Sequence, residues 1–237
     1  MSDTFVARRR RFPMWVIHTN DFLDLTEMLP HQELLKTSKL HKYKPGDGFV
    51  TFISHQWAGT YHPDPNKHQL QTLQETLRCI RRKDVKISRE GNFVWGQMIQ
   101  NVSPEYLKAF AYGWLWLDFV SVPQVSVSFE DRIKTKAEQV DAIMSLHTYV
   151  GHSSCFMILA PVQHHHESNE ILSFSSWRNR GWCQFELATA MLLGTKPVLL
   201  ISSKGAVMHL FHRVFCQLAP CLAQFTVEED RQHIAQT

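Results

Sequence analysis

The chain has 237 residues, 44% of them hydrophobic and 11% aromatic, and a net charge of +3. That length and composition suit one domain with embellishments around a packed core. The small charge gives no overall electrostatic push toward nucleic acid, so no specific nucleic-acid partner is expected. No run approaches the ~20 apolar residues of a membrane span.

The N-terminal run Arg8-Arg9-Arg10-Arg11 reads as a solvated arm. The apolar stretch after it, Phe12 to Ile17, is short and broken by Pro13, which argues against a secretory signal. Residues 1–47 read as an extension, with short helices at Asp21–Leu29 and His31–Leu35 separated by Pro30. The turn cluster Lys44–Gly48 marks a boundary, and residues 48–237 form the main domain.

Phe49–Ser54 reads as a buried strand ending in the polar and aromatic cluster Ser54-His55-Gln56-Trp57. A helix follows over His68–Arg82, with Leu70, Leu73, Leu77 and Ile80 at helical spacing. Residues 83–111 read as an insertion with one helix near Pro104–Ala111. Tyr112–Asp118 is the second strand, with a loop from Phe119 to Ser128. Phe129–Val150 reads as one long helix, and Cys155–Ala160 as the third strand. A polar loop containing His164-His165-His166 leads to Ser175–Gly181 and then a helix starting at Trp182. Val198–Ser202 is the fourth strand and Gly205–Leu218 a further helix, leaving Gln224–Val227 as the source of a fifth strand.

Short apolar strands alternating with helices predict an α/β fold whose parallel sheet is covered on both faces. Ligands in such sheets bind beyond the C-terminal strand ends. Ser54, His55 and Asp118 fall there in sequence. Five cysteines, odd in number and without CxxC spacing, read as reduced thiols and point to a cytoplasmic location. Three consecutive loop histidines rarely converge on one ion, so no metal is expected. Neither G-x-G-x-x-G nor a P-loop motif occurs, which argues against hydride transfer and P-loop chemistry.

The run Trp182-Cys183-Gln184-Phe185-Glu186-Leu187 places one carboxylate on an otherwise apolar helical turn. Such an acid is either a surface residue favoured by the helix dipole or a functional group. Cys183, at a helix start, is a weaker nucleophile candidate, because no histidine can be paired with it from sequence.

Phe52-Ile53-Ser54, Trp116-Leu117-Asp118 and Trp182-Cys183-x-x-Glu186-Leu187, in this order, resemble a TIR domain, the module of Toll and interleukin receptors and plant immune receptors. The resemblance covers residues 48–204. It departs from the family at Ser121-Val122-Pro123-Gln124, where a Pro-Gly pair is common, at His55-Gln56-Trp57, and at residues 83–111, so it indicates a divergent branch. It implies a TIR-like (flavodoxin-like) three-layer fold with four to five parallel strands. It also implies cleavage of the nicotinamide–ribose bond of NAD, to ADP-ribose or a cyclised product, in signalling or innate immune defence.

In this reading NAD is a substrate, no cofactor is needed, and the matching Glu186 is the catalytic carboxylate. Ser54, His55, Trp57, Asp118, Arg178, Arg180 and Trp182 are expected to bind the nucleotide. Self-association or docking to other TIR-like domains is the expected partnership. The alternatives are a silent TIR-like interaction module and a nucleoside N-glycosidic hydrolase or transferase of related fold.

Overall fold

Val50, Thr51, Phe52, Ile53, Ser54 and His55 are all buried, as a strand covered on both faces requires. In the computed structural model, which describes residues 11–89, 102–125, 129–193, 196–210 and 223–224, this strand lies near the middle of the sheet. The strands in chain order are β1 (Trp15–His18), β2 (Leu40–Lys42), β3 (Val50–His55), β4 (Lys86–Arg89), β5 (Trp114–Trp116), β6 (Cys155–Leu159), β7 (Gln163–His164), β8 (Ile171–Leu172), β9 (Val198–Ser203) and β10 (Ala206–Leu210). The helices are α1 (Thr19–Leu23), α2 (His31–Lys36), α3 (His68–Arg82), α4 (Pro104–Ala111), α5 (Asp118–Ser121), α6 (Phe129–Met144), α7 (Leu146–His152), α8 (Phe174–Arg178) and α9 (Gly181–Leu192).

Eight strands form one sheet in the order β2-β1-β5-β3-β6-β9-β10-β4, and β7 and β8 form a separate hairpin. β5, β3, β6 and β9 are mutually parallel, so the α/β class with a mostly parallel central sheet is as expected. After β3 the chain first runs through α3 to β4 at the far edge of the sheet, then returns to form β5 on one side of β3 and crosses to the other side for β6. That reversal makes the C-terminal end of β3 a topological switch point, where a crevice opens.

Residue alternation along the strands divides the core. Ile53, Leu115, Met157 and Leu199 face α3 and α4, together with Leu70, Leu73, Leu77 and Phe110. Phe52, Trp116, Phe156 and Leu200 face α7, α8 and α9, together with Tyr149, Trp177 and Leu187. Phe52 stacks on Trp116 at 4.3 Å and on Phe156 at 5.5 Å, forming an aromatic ladder across three strands. Full burial of each such side chain contributes about 1.5–3 kcal/mol.

Local signals explain the helix ends that frame the site. The expected helix over His68–Arg82 forms as α3, and the Asp64 carboxylate accepts from the Leu70 backbone N–H in its first turn. Ser103 accepts from the Tyr106 N–H and Pro104 occupies the first position, starting α4 where expected. Ser173 and Ser176 form a reciprocal capping box at α8.

Several expectations are corrected. Residues 11–47 do more than extend the domain, since β1 pairs with β5 and with β2 in the main sheet. The insertion likewise joins that sheet, because β4 pairs parallel with β10. Asp118 opens a short helix, α5, in place of a loop. The long helix expected over residues 129–150 breaks at Ser145, whose hydroxyl accepts from the Arg11 and Phe12 N–H groups.

Gly205 begins a strand hairpin and not a helix: at φ +68 it reverses the chain, and β10 pairs with both β9 and β4. Ladder partners on both sides overrule the helical spacing of the apolar residues there. Residues 211–218 of that expected helix lie outside the described residues. So do the central part of the insertion, Cys216, Cys221, and Phe225–Val227 of the expected fifth strand.

Candidate functional site

The switch point gathers three segments that are distant in the chain: the end of β3, the start of α5 and the first turns of α9. They bound a cavity of about 590 Å³. Its wall includes Trp57, Trp116, Asp118, Arg180, Trp182, Cys183 and Glu186, with Val122 and Gln124 after α5 and Gln139 and Ile143 of α6. The β7–β8 hairpin adds His165, Ser168 and Glu170, closed by the His165 N–H on the Glu170 carbonyl.

Ser54 points to the α9 side of the sheet and is 1% exposed. Its hydroxyl donates to Glu186 Oε2 at 2.5 Å and accepts from the Trp177 indole N–H at 3.2 Å. Trp177 is fully buried and an indole N–H only donates, so this link runs from indole to hydroxyl and leaves the Ser54 proton available to the carboxyl. Glu186 is partly exposed, on the side where it lines the cavity. Burial pushes its carboxyl up to about 8; the Ser54 bond opposes the shift, the Asp118 charge adds to it, and His55 draws it down.

His55 points to the opposite side of the strand. Its side chain is 2% exposed, and its two ring nitrogens meet Gln69 Oε1 at 2.7 Å and Asp118 Oδ1 at 2.8 Å. Asp118 also accepts from the Trp57 indole at 2.7 Å and from the Phe119 N–H at 2.5 Å. Burial disfavours both charges, yet their attraction and hydrogen bonds prevail, holding the His55 pKa up and the Asp118 pKa down. Trp57 is held by this bond and by edge-on packing against Phe119 at 5.7 Å.

No family model, curated protein or solved structure matches the chain. Function is therefore reasoned from the geometry of the site.

Of the residues expected at the site, Ser54, His55, Trp57, Asp118, Arg180, Trp182 and Glu186 are brought together. Arg178 is not: it is exposed at the end of α8 and does not line the cavity, because its helix packs Trp177 inward and turns the next residue out. His55 reaches the wall, but both ring nitrogens are committed to protein partners, so it holds Asp118 in place of contacting a ligand. Cys183 is buried, and burial together with Glu186 pushes its thiol pKa well up, which opposes a nucleophilic thiolate.

Among the described residues, no group of three or more His, Cys, Asp or Glu side chains is placed to hold a metal ion. None of the described helices is long and apolar enough to cross a membrane.

Four contributors escaped the sequence reading. Trp177 had a usable signal, the Ser173-x-x-Ser176 capping pair that starts a helix turning the tryptophan inward. His165 and Glu170 were legible only as a polar turn between two short pairing segments. Gln69 carried no signal: it is a glutamine in the first turn of a helix, and only the fold brings it to His55.

Proposed function

We propose that this chain cleaves the N-glycosidic bond between nicotinamide and ribose in NAD, with Glu186 as the catalytic carboxylate. The observation that carries this reading is the Ser54–Glu186 pair on the wall of a 590 Å³ cavity at the sheet's switch point. A partly desolvated acid with a dedicated hydrogen-bond donor, facing a cavity of this size, suits a reaction that builds positive charge on a sugar.

The chemistry asks little of a general acid. The C–N bond breaks with its electron pair going to nicotinamide, which departs neutral, and the ribose carbon becomes oxocarbenium-like. An ionised Glu186 stabilises that charge more strongly in a water-poor cavity than in bulk solvent. Water then adds at the ribose carbon and loses a proton.

The raised pKa of Glu186 has a role in this scheme. In the empty site its carboxyl is largely neutral at pH 7, which avoids a bare buried charge. A positively charged pyridinium ring beside it favours ionisation, so substrate binding and proton release are coupled. The indoles of Trp57 and Trp182 supply faces for heteroaromatic rings, and Arg180 supplies a cation for phosphate.

The deciding test incubates the purified full chain with NAD and, separately, with nucleosides, and follows nicotinamide and free base. Nicotinamide release that disappears in Glu186→Gln supports the proposal. Silence toward NAD at high protein concentration, or base release without nicotinamide, overturns it.

A further inference from the structure

Gln69 sits in the first turn of α3, and its amide orientation is dictated by its surroundings. The NH2 group donates to the Gln56 carbonyl at 2.8 Å and to the Pro63 carbonyl at 3.2 Å. The opposite atom, Oε1, is thereby turned to His55 Nδ1 at 2.7 Å. An amide oxygen only accepts, so Nδ1 must carry a proton. On the other edge of the ring, Nε2 meets Asp118, which already accepts from Trp57 and from the Phe119 backbone. A carboxylate with three donors around it is satisfied in its ionised form, and the shared proton then belongs to Nε2.

We propose that Gln69 is a positioning residue that locks His55 as a doubly protonated imidazolium, and through it keeps Asp118 ionised and the Trp57 ring fixed at the cavity wall. The other groups facing His55 do not undo the lock. From α9, Glu186 favours the cation when its carboxyl is ionised, and the Cys183 thiol lies 3.9 Å from the His55 carbonyl, away from the ring nitrogens. The raised His55 pKa agrees in direction. The lock needs no ligand and exists whatever fills the cavity.

The test is NMR of the full chain with 15N-labelled histidine and tryptophan, from pH 5.5 to 8. In the parent protein both His55 nitrogens are expected to stay protonated well above the ordinary histidine pKa of ~6.5. Gln69→Leu removes the acceptor at similar size. It should lower the His55 pKa by about one unit, a tenfold change in the proton equilibrium, and shift the Trp57 indole N–H signal. A parent His55 that is neutral at pH 7, or a folded Gln69→Leu variant with an unchanged His55 titration, overturns the proposal. If Gln69→Leu does not fold, the parent spectrum alone decides.

Discussion

Ser54 and Glu186 are 132 positions apart in the chain and 2.5 Å apart in the fold. One is the penultimate residue of the central strand β3, the other lies in the second turn of α9, and Trp177 of α8 donates to the first. The pair sits where the parallel sheet reverses its winding, and it is the contact on which the proposed chemistry turns.

Replacing Glu186 by Gln keeps the size of the side chain and its capacity to accept from Ser54, but removes the charge. Nicotinamide release should fall by about 10²–10³-fold, the range for losing a group that stabilises transition-state charge. Near-native circular dichroism of the variant would separate lost chemistry from lost fold. Undiminished turnover sinks the assignment of Glu186.

The pH profile of kcat/KM reports the free protein, in which the Glu186 carboxyl titrates at about 8. Activity should therefore rise with pH and level off above that value. The Ser54 hydroxyl bond holds this pKa down, so Ser54→Ala should move the rise to higher pH as well as slow the reaction. A flat profile from pH 6 to 9 contradicts a role for ionised Glu186.

Stability should respond to pH in one sense through Asp118 and in the opposite sense through His55 and Glu186. Asp118 has a depressed pKa, so its contribution is complete above the ordinary 3.8 and is lost as pH falls through the folded value. His55 has a raised pKa, so its contribution is complete below 6.5 and is lost as pH rises through the folded value. Glu186 is raised as well: its contribution is complete below 4.5 and declines as pH climbs to about 8. Urea unfolding at pH 5, 7 and 9 should show Glu186→Gln gaining on the parent protein as pH rises. An unchanged difference across that range means the carboxyl is not desolvated in the fold.

Trp177 supports Ser54 although it does not line the cavity. Trp177→Phe deletes the donor to Ser54 and leaves space in a core where the indole is 0% exposed. The loss of the hydrogen bond costs about 1 kcal/mol and the space a similar amount or more. The melting temperature should fall by about 4 °C or more for a domain of this size. Calorimetry of the variant checks it.

Gly113 tests the fold away from the chemistry. A Cβ there would lie 2.5 Å from the Phe49 carbonyl oxygen and 2.7 Å from that of Ala109, both backbone atoms with little freedom to yield. Gly113→Ala should destabilise the chain by roughly 2–4 kcal/mol, in the range of strained or overpacked core substitutions. Denaturant unfolding measures this, and a change under about 0.5 kcal/mol would place Phe49 and Gly113 farther apart than described.

The elements whose burial is nearly complete are legible from local pattern alone. β3, β6 and β9 read as continuous apolar runs, and α3 reads from Leu70, Leu73, Leu77 and Ile80, because their neighbours in the chain share one environment. The sequence also singled out Glu186, an acid in an apolar turn, without saying whether that acid was ornamental. The fold adds what no local pattern contains: Ser54 against that acid and a cavity in front of it.

The same holds for the edges of the sheet. β1, β4 and β10 are specified by ladder partners, and no local periodicity announces a pairing between Val207 and Ile87. The pairing of His55 with Gln69 and Asp118 likewise depends on the ends of separate elements meeting at one point. Pattern along a chain records which face is buried; it does not record which polar atoms meet there, because hydrogen bonds between distant residues leave no period in the sequence.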